Sequence, residues 1–111
     1  MMNGEMLMNI STAFSGGRLT VYLMGELDHH EARCLMRTLE DLMDEYLPKE
    51  CVLDMSELAF MDSSGIAIVI RVSRRMKELG GKAWIENPAK QPQRVIDASG
   101  VERLVPVAFA R

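Results

Sequence analysis

Two short polar clusters in this sequence bring together side chains that could do chemistry. The first is Asp62-Ser63-Ser64-Gly65, directly before an aliphatic run, and the second is the triplet Asp28-His29-His30. Asp and Ser are preferred at helix N-termini because their side chains accept hydrogen bonds from unpaired backbone N–H groups. A serine at the positive end of a helix is also a position where a phosphate can be carried and recognised. The first cluster is therefore either a simple helix cap or a regulatory site.

The second cluster consists of metal-ligating residue types. Asp-His-His is also the triplet that gives one family of metal-dependent phosphoesterases its name, but that family needs further ligands and a longer chain. His29 and His30 are the only histidines in this sequence. Neighbouring helical residues project about 100° apart, so both imidazoles do not readily face one ion. We therefore interpret the triplet as the start of a helix and predict no metal site.

A Ser-His-Asp hydrolase site could formally be assembled from Ser63 or Ser64 with His29 and Asp28. The sequence has no Gly-x-Ser-x-Gly elbow, and a domain of this size has little material for an oxyanion hole and a substrate pocket. It also has neither a P-loop nor a Gly-x-Gly-x-x-Gly turn for nucleotide binding. We predict that the protein is not an enzyme and has no cofactor.

Length and composition restrict the protein to few classes. The 111 residues suffice for one domain with a core, so we predict a single domain over residues 1–111. A formal net charge of -3 offers no broad basic face for direct nucleic-acid binding. The sequence shows no signal-peptide pattern and no apolar window near the roughly 18 residues of a membrane span. We expect a cytoplasmic protein that does not bind membranes.

The first half of the chain predicts a hairpin followed by a helix. The turn residues Ser15-Gly16-Gly17 separate the strand-like runs Leu7–Ala13 and Arg18–Met24. Apolar residues then recur at steps of three and four, so Asp28 or a neighbour caps a helix that ends before Pro48. The predicted apolar face comprises Ala32, Leu35, Leu39, Leu42 and Tyr46. The charged face, with Arg33, Arg37, Glu40 and Asp44, is interpreted as a solvated surface.

The middle of the chain predicts a buried strand and a second helix. Cys51–Met55 is a short apolar run that ends at a polar turn, which is typical of a central strand. A helix over Ser64–Leu79 stops at Gly80-Gly81, and Lys82–Glu86 resumes as a strand. The helix should bury Ile68, Val69, Val72, Met76 and Leu79. Cys34 and Cys51 should be free thiols that behave as small apolar residues.

The last quarter predicts a third helix and a final strand. The helix has Pro92 in its first turn and ends near Ser99-Gly100. The strand falls within Leu104–Phe109, where Pro106 either confines it to a sheet edge or ends its pairing. Hairpin, helix, strand, helix, strand, helix, strand predicts an α/β fold with a mixed, mostly parallel β-sheet packed with α-helices.

Three blocks of this sequence resemble the STAS domain of bacterial anti-sigma-factor antagonists, most closely the sporulation type. The blocks are GELDHHEA at Gly25–Ala32, LDMSELAFMDSSGIAIVI at Leu53–Ile70 and VIDASGVERLVPV at Val95–Val107. The resemblance extends from about Leu19 to Val107. It implies a single STAS domain that binds an anti-sigma factor, itself a serine kinase, and thereby releases a sigma factor.

The resemblance also implies which residues carry the function. The kinase would phosphorylate Ser63, the serine directly after Asp62, to switch binding off, and a metal-dependent serine phosphatase would remove the phosphate. The implied partner surface comprises Glu26, Asp28 and His29, on the loop that leads into the first helix, together with Asp62, Ser64 and Ile66. The sequence departs from close relatives at Ala67 and Arg71. The alternative is a STAS subunit of another signalling or transport assembly that works without phosphorylation.

Overall fold

Five strands and three α-helices alternate along residues 8–109, the part of the chain that the computed structural model describes. The strands are β1 (Met8–Ser15), β2 (Arg18–Leu27), β3 (Glu50–Met61), β4 (Lys82–Glu86) and β5 (Val107–Ala108), and the helices are α1 (His29–Tyr46), α2 (Ser63–Glu78) and α3 (Lys90–Ser99). The strands form one sheet in the order β1-β2-β3-β4-β5, in which β1 is antiparallel to β2 and the other pairs are parallel. The predicted α/β fold with a mixed, mostly parallel sheet is confirmed.

Helix α1 begins and ends where the sequence predicted. The Asp28 carboxylate accepts hydrogen bonds from the N–H groups of His30, at 2.9 Å, and Glu31, at 3.1 Å. The buried residues of α1 are Leu35, Met36, Leu39 and Met43. The prediction that Tyr46 belongs to the buried face is wrong, because its ring stacks on Phe14 of the edge strand β1 and stays partly exposed.

Strand β3 is much longer than the predicted run Cys51–Met55. The polar residues after Met55 do not end it, because β2 continues to pair with β3 as far as Leu27 and Met61. Two irregularities in the register of this pairing accommodate the extra length. The Asp54 carboxylate accepts the Ser56 N–H and hydroxyl at 3.0 and 2.6 Å, so these polar groups are paired locally. The extension carries the end of β3 to the polar cluster at Asp62.

Helix α2 packs its apolar face on the sheet as predicted, with Ile68, Val69, Val72 and Met76 buried, although Leu79 is only partly buried.

Cys51 is buried in β3, whereas Cys34 is exposed on α1, contrary to the expectation that both behave as apolar residues. Both thiols are free.

The third helix agrees with the sequence-based prediction, whereas the final strand agrees only in part. Helix α3 has Pro92 in its first turn and ends at Gly100, as predicted. Strand β5 is only two residues long, so the prediction of a strand within Leu104–Phe109 is correct only for its second half. Pro106 precedes the strand, and its carbonyl oxygen accepts the Ile85 N–H at 2.9 Å. The short strand lies at the sheet edge, where a proline is tolerated.

Candidate functional site

The two polar clusters of the sequence lie side by side at one edge of the sheet. Leu27 at the end of β2 is paired with Met61 at the end of β3. The Asp62 N–H also donates a hydrogen bond to the Leu27 carbonyl oxygen at 3.2 Å. The loops that follow parallel strands therefore leave the sheet together, at the edge where α/β proteins commonly bind ligands.

Asp62 caps helix α2 and leaves Ser63 accessible. The Asp62 carboxylate accepts the Ser64 N–H at 2.8 Å. Ser63 is the first residue of α2 and is exposed, and its hydroxyl forms no hydrogen bond with any residue in the described range. Ser64 is half-buried. The cap is thus made by the aspartate, which frees the Ser63 hydroxyl for another role.

His29 connects the second cluster to the first. Its Nδ1 atom lies 4.0 Å from Oδ2 of Asp62, and the His29 side chain is 71% exposed. The rings of His29 and His30 are 4.1 Å apart between centroids. The hydrogen bond from the Glu31 N–H, assisted by that from His30, holds the pKa of Asp28 below its usual value, against the opposing effect of desolvation. Two carboxylates, those of Asp28 and Asp62, therefore flank this edge.

Two residues of the implied partner surface, Glu26 and Ile66, lie within a strand and a helix. Glu26 lies within β2, opposite Phe60, so its predicted position on the loop before α1 is wrong. The register irregularity between Gly25 and Glu26 keeps β2 paired beyond the point where the loop was expected. Ile66 lies in the first turn of α2 and packs partly against the core.

Gln91 is a positioning residue that sequence reasoning missed. Its side-chain carbonyl accepts the Met61 N–H at 2.8 Å, and its amide donates to the Met61 carbonyl oxygen at 3.0 Å. Strand β4 pairs with β3 only as far as Asp54, so the amide of Gln91 replaces a missing strand beside Met61. A glutamine in the first turn of a helix has no sequence signal for a contact thirty residues away. It fixes the strand end from which Asp62 and Ser63 project.

Gly65 permits the close approach between α2 and the end of β3. A Cβ atom at this position would lie 2.7 Å from the Met61 sulfur and 3.3 Å from the Met61 Cβ. Met61 is fully buried, so its side chain has little room to move. The glycine of the Asp-Ser-Ser-Gly cluster is therefore explained by packing.

A groove runs between α1 and α2. It begins at the carboxyl ends of β2 and β3, where Asp28 and Asp62 lie, and we call this end of the sheet the polar edge. We call the groove the α1–α2 groove, and it is lined by His29, Ala32, Arg33, Met36, Ser64, Ala67, Ile68 and Arg71. Further along the helices, Arg71 pairs with Glu40 at 2.9 Å and Arg75 with Asp44 at 2.8 Å. The charged face of α1 is largely solvent-exposed, as interpreted, and two of its carboxylates also form ion pairs with α2.

The described part of the chain offers little for metal chemistry. Between residues 8 and 109, no group of three or more His, Cys, Asp or Glu side chains is arranged to hold a metal ion. Nor does this range contain a helix of the length and apolar character needed to cross a membrane. The chemistry at the polar edge is that of an exposed hydroxyl, two carboxylates and an imidazole.

Comparison with known proteins identifies the fold family. The family model of the STAS domain matches residues 9–110. The chain belongs to the STAS domain family. This confirms the family that the three sequence blocks resembled.

Curated and solved STAS proteins are similar over most of this chain. The anti-sigma F factor antagonist of Paenibacillus polymyxa is 29% identical over 91 residues, which are 82% of this chain and 78% of that protein. The unphosphorylated form of the anti-sigma factor antagonist SpoIIAA superposes with a TM-score of 0.80 at 22% identity, covering 93% of this chain and 89% of that one. The phosphorylated form of SpoIIAA, a Bacillus cell fate determinant, gives a TM-score of 0.72 at 22% identity, with coverage of 93% and 92%. The likeness to these structures is one of fold.

Proposed function

We propose that this STAS protein is an anti-sigma-factor antagonist of the sporulation type, which binds an anti-sigma factor and thereby releases the sigma factor. The observation that carries the proposal is the exposed hydroxyl of Ser63 at the start of α2, which bonds no residue between 8 and 109, on a fold shared with antagonists of that name. Phosphorylation of Ser63 by the anti-sigma factor, acting as a serine kinase, switches binding off. A metal-dependent serine phosphatase restores it.

The protein itself acts as a cytoplasmic binding module. It carries out no reaction of its own, needs no cofactor or metal, and contacts neither nucleic acid nor a membrane. The partner surface is centred on Ser63 and includes Asp28, His29, Asp62 and Ser64, with Glu26 and Ile66 at its border. Support comes from the arrangement of these residues along one edge of the sheet.

The fold should tolerate a phosphate on Ser63. A phosphoserine carries a charge of about -1.5 to -2 at neutral pH. At the first residue of α2 this charge lies at the positive end of the helix dipole. Since Ser63 is exposed and bonds no other described residue, the phosphate displaces no contact of the folded state.

The partner, in contrast, should not tolerate the phosphate. An interface that closes over a neutral hydroxyl would have to bury the phosphate beside the Asp62 carboxylate, whose side chain is only 33% exposed. The Asp28 carboxylate at the same edge is also ionised at neutral pH, since its pKa lies below the usual value, and it adds charge of the same sign. Burying an unpaired charge costs several kcal/mol, and a loss of about 2.7 kcal/mol already weakens binding a hundredfold. Binding is therefore lost without a change of fold.

Site-resolved mass spectrometry tests this proposal. The protein is incubated with its cognate anti-sigma factor and ATP, and one phosphate is expected on Ser63 with Ser64 unmodified. Ser63 is favoured because it is exposed, whereas Ser64 is half-buried and its N–H is engaged by Asp62. A phosphate mainly on Ser64, or on a residue outside this loop, contradicts the assignment. A protein that neither binds the anti-sigma factor nor accepts phosphate favours a STAS subunit of another assembly.

A further inference from the structure

The α1–α2 groove adjoins the proposed switch. Ser64 lines the end of the groove at the start of α2, so the groove begins one residue after the proposed phosphorylation site. Ala32, Met36, Ala67 and Ile68 give it an apolar lining. Met36 and Ile68 are each only 4% exposed, whereas Ala67 is exposed and Ala32 half-buried. A partner that covers Ser63 therefore meets a shallow apolar channel beside it.

The charge of the groove is positive. Two arginines line it, and none of the described residues that line it is acidic, although the whole chain has 16 Asp and Glu against 13 Lys and Arg. Arg71 is already paired with Glu40 outside the lining. Arg33 is exposed and forms no ion pair with any residue between 8 and 109. The groove thus presents one guanidinium whose charge is not balanced.

We propose that the α1–α2 groove binds an acidic segment of the anti-sigma factor, with a partner carboxylate paired to Arg33 and a partner apolar side chain packed on Ala32 and Ala67. This inference rests on the proposed function and adds the chemistry of the partner to it. The planar guanidinium of Arg33 suits two parallel hydrogen bonds to a carboxylate. The apolar lining supplies a buried apolar contact, which an ion pair at the rim of the interface does not provide.

The acidic segment also sharpens the switch. A phosphate on Ser63 has the same sign as the partner segment that enters the neighbouring groove. The phosphorylated protein therefore repels the segment that the unmodified protein attracts, in addition to the desolvation of the phosphate itself. The sequence departs from the pattern it resembles at Ala67 and Arg71, and both residues line the groove. The groove is thus a place where this chain selects its own anti-sigma factor.

Calorimetric titration with the cognate anti-sigma factor tests the inference with matched charge reversals. Arg33→Glu reverses the charge in the groove. Arg37→Glu makes the same change one turn along the same helix, at an exposed residue that neither lines the groove nor forms an ion pair within the described range. We expect Arg33→Glu to weaken binding at least tenfold and Arg37→Glu less than threefold, with equal melting temperatures. Wild-type affinity should also fall more steeply with added salt than that of Arg33→Ala.

The outcomes separate the inference from the proposed function. If the wild-type protein binds the anti-sigma factor and Arg33→Glu and Arg37→Glu lose equal affinity, the proposal for the groove is overturned. The proposed antagonist function is not affected by that result. Absence of wild-type binding overturns both. Sedimentation that shows a wild-type dimer abolished by Arg33→Glu would assign the groove to a second copy of this chain, and would also overturn the inference.

Discussion

The two ends of β3 are held by different kinds of contact. At the start, the Lys49 carbonyl oxygen accepts the Lys82 N–H at 3.1 Å and lies so near Gly81 that a Cβ atom there would collide with it. At the other end, side chains supplement the backbone pairing with β2: Gln91 bonds both polar groups of Met61, and Asp62 caps α2. Backbone packing permits almost no change, whereas side-chain bonds can be altered singly.

This difference separates stability from regulation. The end near Gly81 fixes where α2 stops and β4 starts through hydrogen bonds between backbone groups. The end near Ser63 keeps its backbone fixed while an exposed hydroxyl bonds no other residue of the described range. A charge can therefore be added at one end of the strand at little cost to folding. The following variants test that contrast, from the largest expected effect to the smallest.

Gly81→Ala is expected to have the largest effect on stability. The new methyl group collides with the Lys49 backbone and the Met76 side chain, and backbone cannot move aside cheaply. We expect a loss of about 3 kcal/mol in the free energy of unfolding, measured by urea denaturation. The control is Gly80→Ala, where space is open but φ is +78°, so only about 1 kcal/mol of backbone strain is expected. A control that costs as much as Gly81→Ala would refute the backbone contact.

Gln91→Ala should weaken the other end of β3 by less. It leaves the partly buried N–H and carbonyl groups of Met61 without their side-chain partner, which costs about 2 kcal/mol. Because Met61 precedes Asp62 and Ser63, binding to the anti-sigma factor should also weaken. Gln93→Ala is the control, since the Gln93 amide nitrogen donates to the exposed Asp97 carboxylate and its buried side-chain oxygen bonds no residue of the described range, so its removal breaks no contact with the backbone of β3. Equal stability of the two variants in urea would show that Gln91 does not position this end.

Asp28→Asn isolates the charge of the α1 cap, because asparagine also caps helices but does not ionise. The folded-state pKa of Asp28 is lowered, so its ionisation stabilises the fold above the unfolded value of 3.8, and this stability is lost as pH falls through the folded value. Thermal melts should therefore give the wild-type protein a higher melting temperature than Asp28→Asn at neutral pH, and this difference should vanish at low pH. A difference that stays constant with pH would contradict the role of ionisation.

The two cysteines provide the test with the smallest expected effect, because their reactivity can be compared while the fold stays intact. Burial raises the pKa of the Cys51 thiol to about 12, while Cys34 is exposed on α1. We expect iodoacetamide at pH 8 to alkylate Cys34 in the native protein and Cys51 only after denaturation, as read by mass spectrometry. Alkylation of both thiols at equal rates would show that the start of β3 opens readily.

The sequence predicted the elements better than their lengths. Caps and turns act over a few residues, so Asp28 and Gly100 were correct, and the apolar period of α2 identified its buried face. The length of β3 depends on pairing with β2 through an irregular register, which no local pattern contains. At the site, the resemblance supplied Ser63, but the contact of Gln91 with Met61 and the α1–α2 groove arise only when distant segments meet.

Charge at position 63 is the most direct test of the account. Ser63→Asp keeps a residue type that favours the positive end of a helix, so the melting temperature should equal that of the parent. Calorimetric titration should show its affinity for the anti-sigma factor reduced at least tenfold, about 1.4 kcal/mol, while Ser63→Ala binds as the parent does. If Ser63→Asp bound as tightly as the parent, or lost binding only because it had unfolded, the electrostatic switch at this edge would be wrong.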